Sequence, residues 1–133
     1  MDSCIFCKIV KGEVPSYKVY EDDNVLVLLD TFPAVLGQVL VIPKEHSENY
    51  VFNMNEGEFL GLMKISRKIA KAIDRAIEPV KTGMVIEGME VDHVHVKLYP
   101  MTDSGLELKP MNPLPGVEEM EEIRKKIADA ILQ

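Results

Sequence analysis

The chain has 133 residues, of which 47% are hydrophobic; this is enough for one domain with a folded core and argues against disorder. Its 15 Lys and Arg against 22 Asp and Glu give a net charge of −7, which disfavours non-specific binding to DNA or RNA because such binding requires a basic surface. The longest apolar runs are much shorter than the roughly 20 residues of a membrane-spanning helix, and no signal peptide is visible. We therefore expect a cytoplasmic protein that forms a single domain over 1–133 and has no nucleic-acid or membrane partner.

The first part of the chain predicts three strands. Segment 17–21 alternates in polarity, segment 25–30 follows it after an acidic turn, and two such runs joined by a short turn are typical of a hairpin. After a loop that contains Pro33, the continuous apolar run at 38–42 predicts a third strand that is buried on both faces.

The second part predicts two helices and two more strands. Asn55 is suited to cap a helix and Glu58 follows three residues later, after which apolar residues recur at helical spacing until Pro79. The further segments are strands at 82–87 and 91–99, an irregular, proline-rich stretch at 100–116 and a C-terminal helix at 117–132. The expected fold class is α+β, an antiparallel meander sheet with one long crossover helix and a C-terminal helix, in which 101–133 forms a C-terminal extension.

One predicted strand carries an unusual set of basic side chains. Within 91–99, His93, His95 and Lys97 alternate with valines, so a regular strand would place both imidazoles and the ammonium group on one face, about 7 Å apart in succession. A face packed against a core would carry apolar side chains at these positions. The pattern favours a functional site over the alternative, a solvated face of an edge strand.

Cys4 and Cys7 are the only cysteines of the chain, and they form a second cluster. Their two-residue spacing suits one tetrahedral metal ion, and two of the three histidines would complete a Cys2His2 set. A structural disulfide is disfavoured in a cytosolic protein. The alternative is a pair of small, partly buried thiols without a ligand.

The sequence His-Val-His-Val-Lys-Leu-Tyr at 93–99 resembles the signature strand of the histidine triad (HIT) superfamily, His-φ-His-φ-His-φ-φ, in which φ is apolar. Segments 4–15, 20–23 and 29–46 are similar, in the same order, to the Hint-like branch of that superfamily. The resemblance implies the HIT-like fold and a homodimer that pairs through the long helix and an edge strand. The region beyond about Met101 has no counterpart in this resemblance.

The resemblance also implies a two-step reaction on a nucleotide. His95, the middle histidine of the signature, would attack the α-phosphorus and form a nucleotidyl-imidazole intermediate, which water then hydrolyses. A main-chain carbonyl would orient the other ring nitrogen of His95, and Asp30 would bind the ribose hydroxyls. The positions that would line the base pocket are Ile5, Phe6, Ile9 and Leu28. Each of these four residues also fits an ordinary core.

A structural zinc ion is the cofactor that the resemblance implies. Its ligands would be the two N-terminal cysteines, the histidine after Pro-Lys-x and the first signature histidine, which are Cys4, Cys7, His46 and His93. Four protein ligands close the coordination shell and leave no position for water, so the zinc would be structural and would tie the N-terminus to the signature strand.

Three features depart from the family pattern. Lys97 stands in place of the third signature histidine; its charge can stabilise a developing oxyanion, but a lysine is a poorer general acid unless its pKa is lowered. Gln38, which we count among the substrate-binding residues, stands where the family has a second active-site histidine. Loop 87–92 is shorter than the family's phosphate-binding loop and carries three acidic residues, which would repel a phosphate if they pointed inward. Because related enzymes with glutamine at the third position transfer the nucleotide, hydrolysis and transfer both stay open.

The sequence thus predicts a nucleotide hydrolase or transferase for purine nucleoside 5′-phosphoramidates or related monophosphate conjugates. His95 would be the nucleophile and Lys97 the cation beside the phosphate. The alternative is a zinc-stabilised nucleotide-binding or regulatory module that has lost efficient turnover. A third hypothesis, a zinc-stabilised interaction domain, requires His95 to be dispensable.

Overall fold

In a computed structural model, which describes residues 3–46 and 48–131, the chain forms a five-stranded sheet with helices on both faces. The elements in chain order are α1 (Ile5–Val10), β1 (Lys18–Glu21), β2 (Val25–Leu29), β3 (Val39–Pro43), a 3-10 turn (Val51–Asn53), α2 (Glu56–Ile77), β4 (Lys81–Val85), β5 (Val96–Met101) and α3 (Val117–Ile131). The predicted end of the last helix at residue 132 lies outside the described residues. The described helices include none that is both long enough and apolar enough for a membrane crossing.

The strand order is β1-β2-β3-β5-β4, and every neighbouring pair is antiparallel. The first three strands form a meander, α2 carries the chain across to the far edge, and β5 returns between β3 and β4. The expected α+β fold class, with its antiparallel sheet and crossover helix, is confirmed. β1 to β4 begin and end within two residues of their predicted limits.

The two central strands are buried on both faces because their side chains alternate between two apolar clusters. Val25, Val27 and Leu29 of β2 face α2 and α3, whereas Leu26 and Leu28 face α1. β3 divides its side chains in the same way, which confirms the prediction made for that strand. The larger cluster forms the main core with α2 and α3, and the smaller one lies between the sheet and α1.

Helix α2 begins and ends with the signals seen in the sequence. The Asn55 side chain accepts a hydrogen bond from the N–H of Glu58 at 2.8 Å and donates one to its carboxylate at 2.8 Å, which satisfies an end of the helix that has no internal partner. At the other end Glu78 adopts a left-handed conformation with φ 55°, directly before Pro79. A residue before proline is disfavoured in the α region, so the helix stops there.

The structure corrects the prediction for segment 91–99. β5 begins only at Val96 and runs to Met101, so the first five predicted positions form bends and irregular backbone. The pairing with β3 ends at Val41 opposite Val96; further along, that strand reaches Pro43, which has no N–H for a ladder bond. The N–H of Val94 instead donates to the carbonyl of Glu48 at 3.3 Å.

The short helix α1 is absent from the sequence-based prediction. Cys4 occupies its N-cap position and its sulfur accepts a hydrogen bond from the N–H of Cys7 at 3.4 Å. Six residues are too few to produce a helical hydrophobic repeat in the sequence. The helix is held in place by burial of Phe6 and Ile9 against the sheet.

Candidate active site and metal centre

The histidine segment lies immediately before β5, on the sheet face opposite α2 and α3. His93, His95 and Lys97 are buried on this face, while the intervening Val94 and Val96 pack into the main core. The predicted alternation therefore holds even though 91–95 is not a regular strand. β5 lies between β3 and β4, so the alternative of a solvated edge-strand face is wrong.

Hydrogen bonding orients the His95 ring. Its Nδ1 lies 2.8 Å from the main-chain carbonyl oxygen of His93, so Nδ1 carries the proton and donates it, and Nε2 keeps a free lone pair. Burial, and after it the nearby charge of Lys97, lowers the pKa of His95. The imidazole is therefore neutral near pH 7, as a nucleophile must be. The ring of Phe6 contacts it edge-on at 4.9 Å between centroids.

A cavity of about 370 Å³ opens beside His95 and Lys97, which is a size suited to a small molecule. Its polar lining includes Asp30 and Glu90. The predicted base-pocket residues all line it, and they are Ile5, Phe6, Ile9 and Leu28. Leu40 and Phe32 also line it, and sequence reasoning missed both because a pocket residue inside an apolar run or a loop has no distinctive signal.

Asp30 and Gln38 form a connected pair at one side of the cavity. Asp30 accepts a hydrogen bond from the Gln38 amide at 2.8 Å and another from the N–H of Phe32 at 2.9 Å. The Gln38 carbonyl oxygen in turn accepts from the N–H of Ala34 at 2.7 Å. Gln38 is buried behind Asp30 and is not among the residues that line the cavity. Asp30 retains lone pairs that can accept from a ligand's hydroxyl groups.

Lys97 is already paired with an acidic residue of loop 87–92. Its Nζ lies 3.1 Å from a carboxylate oxygen of Glu90, and the Lys97 side chain is 10% exposed while that of Glu90 is 70% exposed. Burial by itself lowers the pKa of Lys97, but the hydrogen bond and charge of Glu90, together with the acidic groups around it, raise it above the ordinary value overall. Lys97 is therefore a fixed cation near pH 7 and not a proton donor.

The four predicted metal ligands lie together beneath α1. The ligand atoms of Cys4, Cys7, His46 and His93 are all within 4.8 Å of one another. Cys4 Sγ and Cys7 Sγ lie 3.4 and 3.6 Å from His93 Nδ1, and Cys7 Sγ lies 3.2 Å from His46 Nδ1. A zinc tetrahedron with bonds of about 2.0–2.3 Å has edges of roughly 3.3–3.8 Å, so these separations fit the ion.

The outer hydrogen bonds also suit a metal centre. His93 Nε2 donates to the carbonyl oxygen of Pro43 at 2.7 Å, which leaves Nδ1 free for a metal ion. Burial lowers the pKa of His93, which keeps the imidazole in the neutral form that a ligand requires. The Pro43 carbonyl was not predicted, because the direction of a backbone group cannot be read from residue type. The residues present fit a Cys2His2 zinc site.

The α+β fold and the buried histidine beside a cavity are consistent with a protein of the histidine triad type. Residues 11–103 match the HIT domain family model, and the chain belongs to that family. Residues 104–133, which include α3, lie beyond the matched region.

Individual relatives agree with this assignment. An uncharacterized HIT-like protein of Borreliella burgdorferi is 40% identical over 137 residues, which cover 96% of this chain and 98% of the relative. The adenosine 5′-monophosphoramidase of Saccharomyces cerevisiae is 36% identical, and the alignment covers 78% of this chain and 67% of the yeast protein. Among solved structures, a Zn-bound histidine triad family protein of Mycobacterium smegmatis has a TM-score of 0.84 at 27% identity, covering 99% of this chain and 95% of the other.

Proposed function

We propose that this protein is a Hint-like nucleotide hydrolase or nucleotidyltransferase that acts on the α-phosphate of purine nucleoside monophosphate conjugates of the phosphoramidate type. The observation that carries the proposal is the free Nε2 of the buried, neutral His95, which lies beside the cavity that Asp30 and Lys97 also line. The name of the yeast relative, a monophosphoramidase, supports this substrate class.

The cavity offers a place for each part of such a substrate. Its apolar wall beneath α1 would accept the purine through Phe6 and Leu28, and the Asp30 carboxylate would accept hydrogen bonds from the ribose hydroxyls. The phosphate would then lie near His95 and Lys97. By the resemblance, Lys97 would take the position of the third signature histidine and would hold the phosphoryl oxygens as a fixed cation.

The reaction would proceed in two displacements. The lone pair of His95 Nε2 forms a bond to phosphorus while the P–N bond to the leaving amine breaks, and the amine nitrogen takes up one proton from solvent. Water then attacks phosphorus, the His–P bond breaks and returns its electron pair to Nε2, and one proton passes to solvent. The balance is conjugate plus water to nucleoside monophosphate plus amine. In a transferase, another nucleophile replaces the water.

We also propose that zinc is bound by Cys4, Cys7, His46 and His93, whose separations and hydrogen bonds fit the ion. When bound, it would act as a structural cross-link with a closed coordination shell. His93 would thereby fix the carbonyl that orients His95. Cysteines used in this way agree with a reducing, cytoplasmic location.

We propose that α3 belongs to the same single domain, over 1–133, and that the protein is a homodimer. Met120 and Ile127 of α3 are buried in the main core with α2, which supports one shared core. The dimer would pair through α2 and the edge strand β4, whose Met84 is 45% exposed, because an unpaired apolar edge is otherwise a site of non-specific association.

The test is release of AMP from an adenosine phosphoramidate, with the wild-type protein beside His95→Ala. We expect the substitution to reduce turnover at least about a thousandfold while nucleotide still binds, because it removes the attacking atom and leaves the remaining cavity. An unchanged circular dichroism spectrum and zinc content show that the variant is folded. Equal turnover by both proteins would exclude His95 as the nucleophile.

The second candidate is a nucleotide-binding or regulatory module with little or no turnover. The Lys97–Glu90 ion pair favours it, because the cation nearest the phosphate is partly neutralised before any ligand arrives. A titration that detects nucleotide binding by the wild type, without product formation, would support this function over the enzyme.

A further inference from the structure

Glu90 is placed differently from the other acidic residues of its loop. All of loop 87–92 is described, and of its three acids Glu90 alone lines the cavity, whereas Glu87 and Asp92 are exposed outside it. Its carboxylate reaches the buried Lys97 ammonium at 3.1 Å, yet 70% of its side chain is exposed. Glu90 therefore spans the boundary between the interior of the cavity and solvent.

This position is next to the path by which a leaving group would depart. His95 and Lys97 are buried residues of the cavity lining, and the ring of Phe6 contacts His95 edge-on. Of the three charged residues that line the cavity, Asp30, Glu90 and Lys97, Glu90 is the exposed one, so we place the solvent-directed leaving group beside it.

We propose that Glu90 is a specificity-determining residue that selects conjugates whose leaving group carries a positive charge, such as an amine with a second, free ammonium group. The inference rests on the proposed function and names its substrate class more closely. Leaving groups that carry negative charge, including the additional phosphates of dinucleoside polyphosphates, are disfavoured by the same residue.

The charges on the two partners explain this selection. The bound phosphoryl group carries one negative charge and competes with Glu90 for Lys97. When the phosphoryl oxygens take over the ammonium group of Lys97, the Glu90 carboxylate loses its partner and a cation on the leaving group can replace it. The substrate and the site then form two complementary ion pairs. An anionic leaving group would instead place a second negative charge beside an unpaired carboxylate.

The experiment compares three AMP phosphoramidates of equal chain length, with 5-aminopentyl, pentyl and 4-carboxybutyl leaving amines, at low ionic strength because Glu90 is exposed to screening. We expect the wild type to prefer the cationic conjugate. Glu90→Gln should lower the cation-to-anion ratio of kcat/KM at least about tenfold; its release of Lys97 acts on all three conjugates alike and cancels in this ratio.

Asp92→Asn is the matched control, because it removes the same charge from the same loop outside the cavity. Its cation-to-anion ratio should equal that of the wild type. A ratio that is unchanged in Glu90→Gln, or that falls equally in Asp92→Asn, would overturn the proposal.

Binding of the same conjugates to His95→Ala and to His95→Ala/Glu90→Gln separates this inference from the proposed function. Charge-dependent affinity that Glu90→Gln abolishes, without turnover by the wild type, would support selection by Glu90 and reject the hydrolase. Turnover by the wild type with no charge dependence in rate or affinity would leave the hydrolase standing and reject the role of Glu90.

Discussion

At the residue scale, hydrogen bonds fix the orientation of three buried polar side chains at or near the cavity. His95 donates to the His93 carbonyl, His93 donates to the Pro43 carbonyl, and Gln38 donates to Asp30. A buried polar group without a partner costs about 1–3 kcal/mol, so these bonds also stabilise the fold. The same contacts leave His95 Nε2 and His93 Nδ1 without a proton of their own, so the first has a lone pair for the proposed attack on phosphorus and the second for the proposed metal ion.

Gly37 is the residue whose backbone brings Gln38 to Asp30. Its φ is +94°, and a Cβ at this position would collide with Cδ1 of Ile77. We expect Gly37→Ala to lower the free energy of unfolding by about 1–3 kcal/mol, as measured by urea denaturation. Gly61→Ala is the control: this exposed α2 position has open space, so the same substitution should stabilise the protein by about 0.5–1 kcal/mol. Equal effects at both sites would contradict the argument.

At the scale of elements, α1 and the β1–β2 turn are the two short units that depend on particular side chains. α1 has only six residues and is too short to be stable alone, so it relies on burial against the sheet and on the Cys4–Cys7–His93 cluster. The turn depends on Asp22, whose carboxylate accepts from the N–H groups of Asn24 and Val25 at 2.8 and 2.9 Å.

Zinc should anchor α1 to the signature segment. We expect about one equivalent of zinc in protein purified without chelator, and a lower melting temperature after chelation, because α1 then loses its cross-link to His93. Cys7→Ser should contain little zinc and should melt near the temperature of the chelated wild type. Metal-free wild-type protein, or a Cys7→Ser variant with a full equivalent, would contradict the assignment. Elemental analysis and calorimetry are the measurements.

The Asp22 turn should contribute a pH-dependent part of the stability. Burial alone raises the pKa of Asp22, but its hydrogen bonds to backbone N–H groups and to Tyr20 hold that pKa below its usual value overall. The contribution is therefore complete above the unfolded pKa of about 3.9 and is lost as the pH falls through the folded pKa. At pH 7 we expect Asp22→Asn to cost about 1 kcal/mol.

The measurement is urea denaturation of the wild type and Asp22→Asn between neutral and acidic pH. The difference between their unfolding free energies should be constant at neutral pH and shrink in acid; taking the difference removes the pH dependence that both proteins share. Asp23→Asn, an exposed neighbour in the same turn, should show no such difference. A difference that grows in acid would have the wrong sign for this mechanism.

At the scale of the whole molecule, the residues of the main core and those of the candidate site lie on opposite faces of the sheet. One face packs against α2 and α3 and forms the main core, and the other carries the cavity and the Cys/His cluster beneath α1. Among the described residues, β4 forms an edge of the sheet and pairs only with β5. Assembly through α2 and β4 would therefore use their exposed surfaces and leave the main core intact.

Light scattering at micromolar concentration should give twice the chain mass of 15.0 kDa if β4 pairs with its copy. Met84→Glu should shift the protein toward the monomer, because it places a charge on the exposed edge. Val117→Glu, which changes a more exposed apolar residue at the start of α3, should leave the mass unchanged. A monomeric wild type would reject the dimer.

Much of the fold is determined by signals between residues that are close in the chain. The Asn55 cap, the stop before Pro79 and the alternation of segment 17–21 each act within a few residues, so the sequence alone predicts α2 and four strands with nearly correct limits. The scarcity of histidine and cysteine also restricts the candidate site, because the chain has only three of one and two of the other.

Features that depend on residues distant in the sequence, or on the direction of a backbone group, are determined only by the tertiary structure. Cys4 meets His93 across 89 positions, and the strand limit at Val96 depends on Pro43 in another strand. The proton position on His95 follows from the direction of one carbonyl. Glu90 forms an ion pair with Lys97 because a buried ammonium group is stabilised by a nearby negative charge. Such contacts arise when packing brings the strands and loops together, so no local pattern in the sequence records them.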